Sequence, residues 1–166
     1  PFVEVAGGAD TDSNIIKKAV SIYKMAKYAA ITVNKETEGF VLNRLQGALL
    51  NEAVRLHEGG FASMEDIDIA LKHALGIRWA FLGPFEIMDL NAPEGIKDSF
   101  TRYKKGIQNL AREQNSVPGY SEEYLNKLEI DQRKRLPYDV RNERVEKRNK
   151  MIALIRKLKL ELGEDI

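Results

Sequence analysis

The sequence predicts a mainly α-helical fold preceded by a short strand, helix, strand unit. Two short apolar runs at residues 2–6 and 29–33 are typical of β-strands, and both lie within the first 34 residues. From residue 39 onward, apolar side chains recur every three or four positions, as they do along amphipathic helices. The chain has 166 residues, 43% of them hydrophobic, which suffices for one well-packed core.

Residues 1–34 are interpreted as the trailing edge of a larger α/β domain. Asp12 and Ser13 are N-cap candidates for a helix that continues through Ile16 at helical spacing. One helix connects the two strands, so the strands should be parallel. Two parallel strands need neighbours to form a stable sheet, so we expect the rest of the domain upstream of Pro1. A small two-stranded element packed on the helices is the alternative.

Residues 35–166 are predicted to form an all-helical domain, which a charged hinge at residues 35–38 joins to the preceding segment. Its first helix, at residues 40–56, is apolar on two faces, and we expect it to be buried between two layers or against a partner subunit. Gly59 and Gly60 should stop it. Four further helices are predicted: one capped by Ser63 and ending at Gly76, a short one from Pro84, one over residues 96–110, and one opened by Ser121. A charged helix at about 140–161 follows Pro137.

Composition excludes several classes of protein. The chain has no cysteine, so it has neither disulfides nor thiolate zinc sites. With 26 basic and 25 acidic residues, it offers no electrostatic footprint for nucleic acid or a membrane surface. No long apolar run or leader pattern is present, so a soluble, cytoplasmic protein is expected. His57 and His73 lack partners at ligand spacing, and no metal site is predicted. No glycine-rich phosphate loop is present, so no cofactor-binding residue is expected in this chain.

Three segments offer candidate site residues. Asn43 heads one apolar stripe of its helix, where an amide could contact a substrate hydroxyl or carbonyl; capping a nearby turn is the alternative. Arg78 could grip a carboxylate beside the aromatic wall of Trp79; an ion pair in a hydrophobic connector is the alternative. Glu4 is the one carboxylate in the first strand, and strand ends gather functional side chains. For Glu4, an edge position facing solvent is the better interpretation on pattern alone.

Together these segments resemble the 3-hydroxyacyl-CoA dehydrogenase family over essentially the whole chain. The run 38–44 (EGFVLNR) is similar to the motif that opens the family's helical domain, although Glu38 replaces the usual proline. The run 83–86 (GPFE) matches a turn of the family. The run 76–84 (GIRWAFLGP) and the long charged tail through Ile166 look like the lambda-crystallin and L-gulonate 3-dehydrogenase branch rather than the fatty-acid oxidation enzymes.

The resemblance implies a C-terminal dimerisation domain of the 6-phosphogluconate-dehydrogenase-like type, preceded by a remnant of an NAD-binding Rossmann domain. It implies that Glu4 orients a catalytic histidine that precedes Pro1, and that Asn43 contacts the substrate near the reacting carbon. NAD would be bound mainly by the absent N-terminal domain. The implied reaction oxidises a 3-hydroxyl to a 3-keto group by hydride transfer. The helical domain would make a homodimer through the helix at residues 40–56.

The sequence leaves alternatives for the substrate and for the function. The substrate would be a small hydroxy acid with a carboxylate, for which Arg78 is a plausible anchor, or alternatively a hydroxyacyl-CoA. The chain alone is expected to be inactive. A structural or dimerising helical module without catalysis is the main alternative function. A nucleic-acid-binding helical domain is disfavoured by the balanced charge.

Overall fold

A computed structural model describes residues 1–163, and the last three residues of the predicted charged tail lie outside them. The described residues form two compact units. The first comprises residues 1–50 and the segment from residue 143 onward, and the second comprises residues 51–142. The predicted fold class is confirmed, because the chain is mainly helical with one small parallel sheet. The domain boundary at residues 34 and 35 stays a prediction.

The first unit begins with the predicted strand, helix, strand arrangement. Strands β1 (Phe2–Ala6) and β2 (Ala29–Val33) pair in parallel, with Phe2 opposite Ala29 and Ala6 opposite Val33. Helix α1 (Ser13–Met25) connects them and packs against both. Its N-cap is Asp12, whose carboxylate accepts the Asn14 N–H at 2.7 Å. Of the two N-cap candidates predicted from the sequence, Asp12 is therefore the one that is confirmed. Two longer helices contribute to this unit, α2 (Phe40–Glu58) and α8 (Arg141–Glu161).

The second unit consists of helices, and the boundary between the units falls within α2. Ser63 caps the helix that follows by accepting the Asp66 N–H at 3.1 Å. Ser121 caps a later helix by accepting the Tyr124 N–H at 3.2 Å. Both caps match the sequence-based predictions. The helices of this unit after α2 are α3 (Met64–Ala70), α4 (Gly76–Trp79), α5 (Pro84–Leu90), α6 (Ile96–Glu113) and α7 (Glu122–Arg135).

The prediction that the helix capped by Ser63 ends at Gly76 is wrong. A π-helical turn at Leu71–Leu75 joins α3 to α4. The Gly76 N–H donates to the carbonyl of Leu71, five residues earlier, which is the π-helical pattern. A Cβ at Gly76 would lie 2.9 Å from that carbonyl oxygen, so glycine suits the position sterically. Gly76 therefore lies inside a continuous helical path rather than at its end.

The second unit packs its α5 and α6 around a small residue. Ser99 on α6 is fully buried, and its hydroxyl lies 4.0 Å from the Met88 sulfur on α5. Nearby, Ala92 is also buried. The apolar stripe of α6 beside Ser99 is exposed, although its side chains recur at spacings of four, three, four and three residues. This exposed stripe consists of Ile96, Phe100, Tyr103, Ile107 and Leu110.

Helix α2 is covered unevenly along its length. Val54, in the second unit, is only 7% exposed. In the first unit, Leu42, Leu45 and Leu50 remain 49%, 60% and 55% exposed. The predicted burial between two layers within the chain is therefore wrong for the first half of this helix. No helix among residues 1–163 is long and apolar enough to cross a membrane.

Candidate functional site

Glu4 is held against the first turn of α2. The side chain is half-buried on the central residue of β1, and its Oε1 accepts the Val41 N–H at 2.8 Å and the Leu42 N–H at 3.1 Å. Backbone N–H groups in the first turn of a helix have no partner within the helix, and the helix dipole favours a negative charge there. Glu4 is thus bound to α2, which contradicts the interpretation that it faces solvent.

The turn before α2 has an unusual backbone. Gly39 has a φ of +77° and Phe40 a φ of +47°, so two consecutive residues are left-handed. Only glycine adopts this region without a steric penalty, and a left-handed phenylalanine is strained. Backbone hydrogen bonds fix the turn: the Phe40 N–H donates to the Thr37 carbonyl at 3.1 Å, and the Asn43 N–H donates to the Gly39 carbonyl at 3.2 Å. Backbone strain of this kind is often found at functional sites.

Asn43 directly follows Leu42, the second residue that contacts Glu4. Its side chain is exposed, although the residue stands at the head of an apolar stripe. Among the described residues, no hydrogen bond to the amide is recorded, and the predicted alternative of a turn cap is not observed. The amide can therefore donate to and accept from a molecule outside the described chain. The structure brings Glu4 and the helix turn that carries Asn43 together.

Arg78 and Trp79 lie at the end of α4, in the second unit. The Arg78 guanidinium is exposed, and its Nε donates to the carbonyl of Ala74 at 3.4 Å. Within residues 1–163 it forms no ion pair, so the predicted alternative of an acidic neighbour is not observed. Trp79 is 44% exposed. Both side chains stand on the helical backbone that follows the π turn, rather than in a connector between two helices.

A pocket in the second unit contains none of the four candidate residues. Its volume is about 420 Å³. All three guanidinium nitrogens of Arg55, which lines this pocket, already have partners. Its Nη1 pairs with the Glu52 carboxylate at 2.9 Å, and its Nε and Nη2 donate to the Ser116 carbonyl at 3.0 and 2.6 Å. The pocket therefore offers no unsatisfied cation and is not assigned as the substrate site. It is lined by Glu52, Arg55, Leu56, Phe61, Leu110, Glu113 and Gln114.

Sequence patterns did not reveal which groups hold Glu4. The partners are backbone N–H groups 37 and 38 residues away, and backbone groups leave no signature in residue type. The one available signal is Gly39 before the helix, since glycine often marks a left-handed position. Among residues 1–163, no cluster of three or more potential metal ligands is present.

Comparison with known protein families identifies the family to which the chain belongs. Residues 39–132, more than half of the chain, match the profile described as 3-hydroxyacyl-CoA dehydrogenase, C-terminal domain. The chain belongs to the 3-hydroxyacyl-CoA dehydrogenase family. The matched segment begins at Gly39, the first residue of the left-handed turn, and includes Asn43, Arg78 and Trp79. The resemblance read from the sequence motifs is therefore confirmed.

Relatives of this family member include two kinds of curated protein. Lambda-crystallin from Oryctolagus cuniculus is 34% identical over 164 residues, which cover 98% of this chain and 51% of the relative. L-carnitine dehydrogenase from Streptomyces coelicolor is 39% identical over 95 residues, which cover 57% of this chain and 30% of the relative. The chain thus spans about half the length of the lambda-crystallin that it matches. The match to the lambda-crystallin branch confirms the predicted subfamily.

A solved structure supports the same fold. FHMPC 5-dehydrogenase, described as an NAD+ dependent dismutase, superposes with a TM-score of 0.75 and 23% identity. The match covers 96% of this chain and 52% of that enzyme. At this identity the similarity establishes the fold. The dehydrogenase family itself is shown by the profile match over residues 39–132.

Proposed function

We propose that this chain is the C-terminal part of an NAD-dependent 3-hydroxy-acid dehydrogenase. The observation that carries the proposal is the Glu4 carboxylate, which is bound through Oε1 to the helix turn that presents Asn43. A carboxylate bound to the turn that carries an amide supplies, with that amide, two of the groups that oxidation of a hydroxyl requires, an orienting acceptor and a substrate contact. Residues 1–34 would then be the end of a Rossmann domain whose remainder lies upstream.

In the proposed reaction, Glu4 accepts a hydrogen bond from a histidine that the upstream segment supplies. The histidine takes the proton of the substrate hydroxyl as general base, and Glu4 stabilises the cation that forms. Asn43 donates its amide hydrogen to the substrate oxygen as that oxygen becomes a carbonyl. NAD+, when bound by the upstream domain, supplies the acceptor for the hydride that leaves the same carbon. This chain has no glycine-rich phosphate loop, so it is assigned no cofactor-binding residue.

The proposed substrate is a small hydroxy acid that carries a carboxylate. Arg78 is exposed and forms no ion pair within the described residues, so its guanidinium is available for a bidentate contact. Trp79, also exposed, would form an apolar wall beside that contact. The L-carnitine dehydrogenase relative supports this class, since L-carnitine is itself a 3-hydroxy acid with a carboxylate. A hydroxyacyl-CoA is the second candidate, and the family's own description favours it.

The test uses the full-length protein with NAD+ and three substrates: L-gulonate, L-carnitine and 3-hydroxybutyryl-CoA. We expect NADH formation with at least one free acid and none from the 166-residue chain alone. Arg78→Ala should raise the KM for the free acid by at least about tenfold, as expected for a lost charged contact. Lys72→Ala is the matched control, because Lys72 is an exposed cation on the preceding turn. If Arg78→Ala leaves the KM unchanged while the CoA ester is oxidised, the substrate is an acyl-CoA.

A non-catalytic structural role is the second proposal, and the similarity to lambda-crystallin favours it. It predicts that the full-length protein binds NAD+ but oxidises none of the three substrates. Isothermal titration with NAD+, combined with the turnover assay, separates the two proposals. Measurable turnover that Glu4→Gln lowers by about tenfold or more would reject the structural proposal.

We also propose that the protein forms a homodimer through α2. Leu42 and Leu45 lie one turn apart on the same side of α2 and are 49% and 60% exposed, and an apolar helix face of this kind is normally covered. Leu45→Glu would place a charge in the interface and should convert the dimer to a monomer in sedimentation velocity. Glu36→Gln is the control, since Glu36 is exposed and precedes the helix. A wild-type protein that sediments as a monomer at micromolar concentration would reject the dimer.

A further inference from the structure

The two oxygens of the Glu4 carboxylate are used differently. Oε1 accepts both backbone N–H groups, at 2.8 Å from Val41 and 3.1 Å from Leu42. No hydrogen bond to Oε2 is recorded among residues 1–163. Two donors on one oxygen fix the plane and direction of a carboxylate far better than one donor would. Oε2 therefore points in a defined direction with its lone pairs unused by the described residues.

The two donors follow a turn that backbone hydrogen bonds close, from the Phe40 N–H to the Thr37 carbonyl and from the Asn43 N–H to the Gly39 carbonyl. The left-handed pair Gly39 and Phe40 sets the direction in which the first N–H groups of α2 point. A Cβ added at Gly39 would make only ordinary contacts, at 3.4 Å from the Asn43 Cβ and 3.6 Å from the Arg44 Cγ, so the strain of a substitution there comes from the φ of +77°. A change at Gly39 would therefore disturb both the N–H groups that hold Glu4 and the residue that presents the amide.

We propose that the first turn of α2 is a positioning element for Glu4: the Val41 and Leu42 N–H groups hold Oε1 so that Oε2 is presented to the upstream histidine. This inference rests on the proposed function. Gly39 is a positioning residue, because it permits the turn but touches neither the substrate nor the histidine. The same turn presents Asn43, so the acceptor of the base and the substrate contact are fixed relative to each other by one helix start.

Substitutions at Glu4 distinguish the roles of the two carboxylate oxygens. Glutamine keeps a carbonyl oxygen that can accept from Val41 and Leu42, but it presents an NH2 donor in place of Oε2. In the full-length protein, Glu4→Gln should lower kcat by about 10- to 1,000-fold and leave the Tm within about 1 °C. Glu4→Ala should lower kcat similarly and also lower the Tm by about 2–6 °C, because two helix N–H groups lose their acceptor. Glu36→Gln and Glu36→Ala, at an exposed carboxylate, should change neither quantity.

A double-mutant cycle tests the positioning role of Gly39. Gly39→Ala alone should lower kcat by about tenfold or more, while the Kd for NAD+ stays unchanged. In the Glu4→Gln background, Gly39→Ala should cause a clearly smaller further loss than in wild type, because one of the two groups that it positions, the Glu4 carboxylate, is already disabled. A purely structural effect of the turn would instead multiply with the effect of Glu4→Gln. Equal fold-losses in both backgrounds would overturn the proposal.

The outcomes also distinguish this inference from the proposed function. A Tm for Glu4→Gln as low as that for Glu4→Ala would show that Oε1 is not held as described, whatever the activity. Full-length protein that binds NAD+ but oxidises no hydroxy acid or acyl-CoA would reject the dehydrogenase, and with it the catalytic consequence. In that case the Tm comparison still reports whether the α2 turn holds Glu4.

Discussion

The hydroxyl of Tyr124 lies 2.9 Å from Nδ1 of His57, which joins the end of α2 to the first turn of α7. The Tyr124 hydroxyl also donates to the Val54 carbonyl at 3.5 Å, and the two rings lie 5.7 Å apart. Tyr124 is only 8% exposed. A buried hydroxyl with two partners in one helix fixes the register of α7 on α2 within the second unit.

Removing this hydroxyl should destabilise the second unit measurably. Tyr124→Phe keeps the ring in its packed position but leaves His57 and Val54 without their partner. We expect the free energy of unfolding to fall by about 1–2 kcal/mol in urea denaturation. Tyr120→Phe is the control: the Tyr120 hydroxyl donates to the Asn51 Oδ1 at 2.6 Å but is exposed, so water replaces it at a smaller cost. Equal losses for the two variants would contradict the importance of burial.

The same phenol makes stability depend on alkaline pH. Burial raises the pKa of Tyr124 above the ordinary 10.0, and the negative charges of Glu58 and of ionised Tyr120 raise it further. The folded state therefore keeps the proton at a pH where the unfolded chain loses it. This contribution is complete below about pH 10 and is lost as the pH rises through the folded pKa. The advantage of wild type over Tyr124→Phe should shrink above about pH 10 in thermal melts.

A second tyrosine does not disturb that comparison. The pKa of Tyr138 is also raised, chiefly by its hydrogen bond to Glu129, but Tyr138 is present in both proteins and its effect cancels. A constant difference between wild type and Tyr124→Phe from about pH 8 to pH 11 would show that burial does not shift Tyr124.

Arg55 is predicted to hold the loop between α6 and α7. Its Nε and Nη2 both donate to the Ser116 carbonyl, and lysine cannot reproduce this two-pronged contact. Arg55→Lys should increase the hydrogen-exchange rates of the loop amides near residues 116–120 by about tenfold, a loss of about 1.4 kcal/mol of local stability. Arg112→Lys is the control, because Arg112 donates within α6 to the Asn109 side chain. Unchanged loop exchange in Arg55→Lys would contradict the contact.

Local chemistry explains why many element boundaries could be predicted from the sequence. The N-caps Asp12, Ser63 and Ser121 act through their own side chains on N–H groups two or three residues away. Pro84 lacks an N–H, so it fits the first position of α5. Such signals are contained in a few adjacent residues, and periodicity then extends each helix from its cap.

Contacts between distant residues could not be predicted in the same way. Oε1 of Glu4 accepts hydrogen bonds from backbone N–H groups 37 and 38 positions away. The π turn before Gly76 depends on the hydrogen bond from the Gly76 N–H to the Leu71 carbonyl, and no pattern of residue types predicts that bond. Periodicity also identifies an apolar face without saying what covers it. The α6 stripe that begins at Ile96 has the spacing of a core face, yet its residues are at least 37% exposed in this chain.

Replacing two glycines of α6 by alanine, one at its N-cap and one in its interior, should change the free energy of unfolding in opposite directions. Gly95, the N-cap of α6, has φ +77° and ψ −161°, a region that is essentially restricted to glycine. A Cβ there would lie 2.9 Å from the Asp89 Oδ1, the atom that accepts the Ile96 N–H at 2.8 Å. Gly95→Ala should therefore lower the free energy of unfolding by about 1–3 kcal/mol. Gly106, inside α6, has nothing within 4 Å of its added Cβ, so Gly106→Ala should raise the free energy by about 0.5–1 kcal/mol.

Urea denaturation of both variants beside wild type checks the pair. Asp89→Ala separates the two causes of the Gly95 effect, since it removes the clash as well as the acceptor for Ile96. If the clash matters, Gly95→Ala should cost less in the Asp89→Ala background than in wild type, while the cost of the left-handed backbone remains in both. Destabilisation by Gly106→Ala would show that this face of α6 is covered in solution, because an added methyl group is harmful only where a neighbour already fills the space.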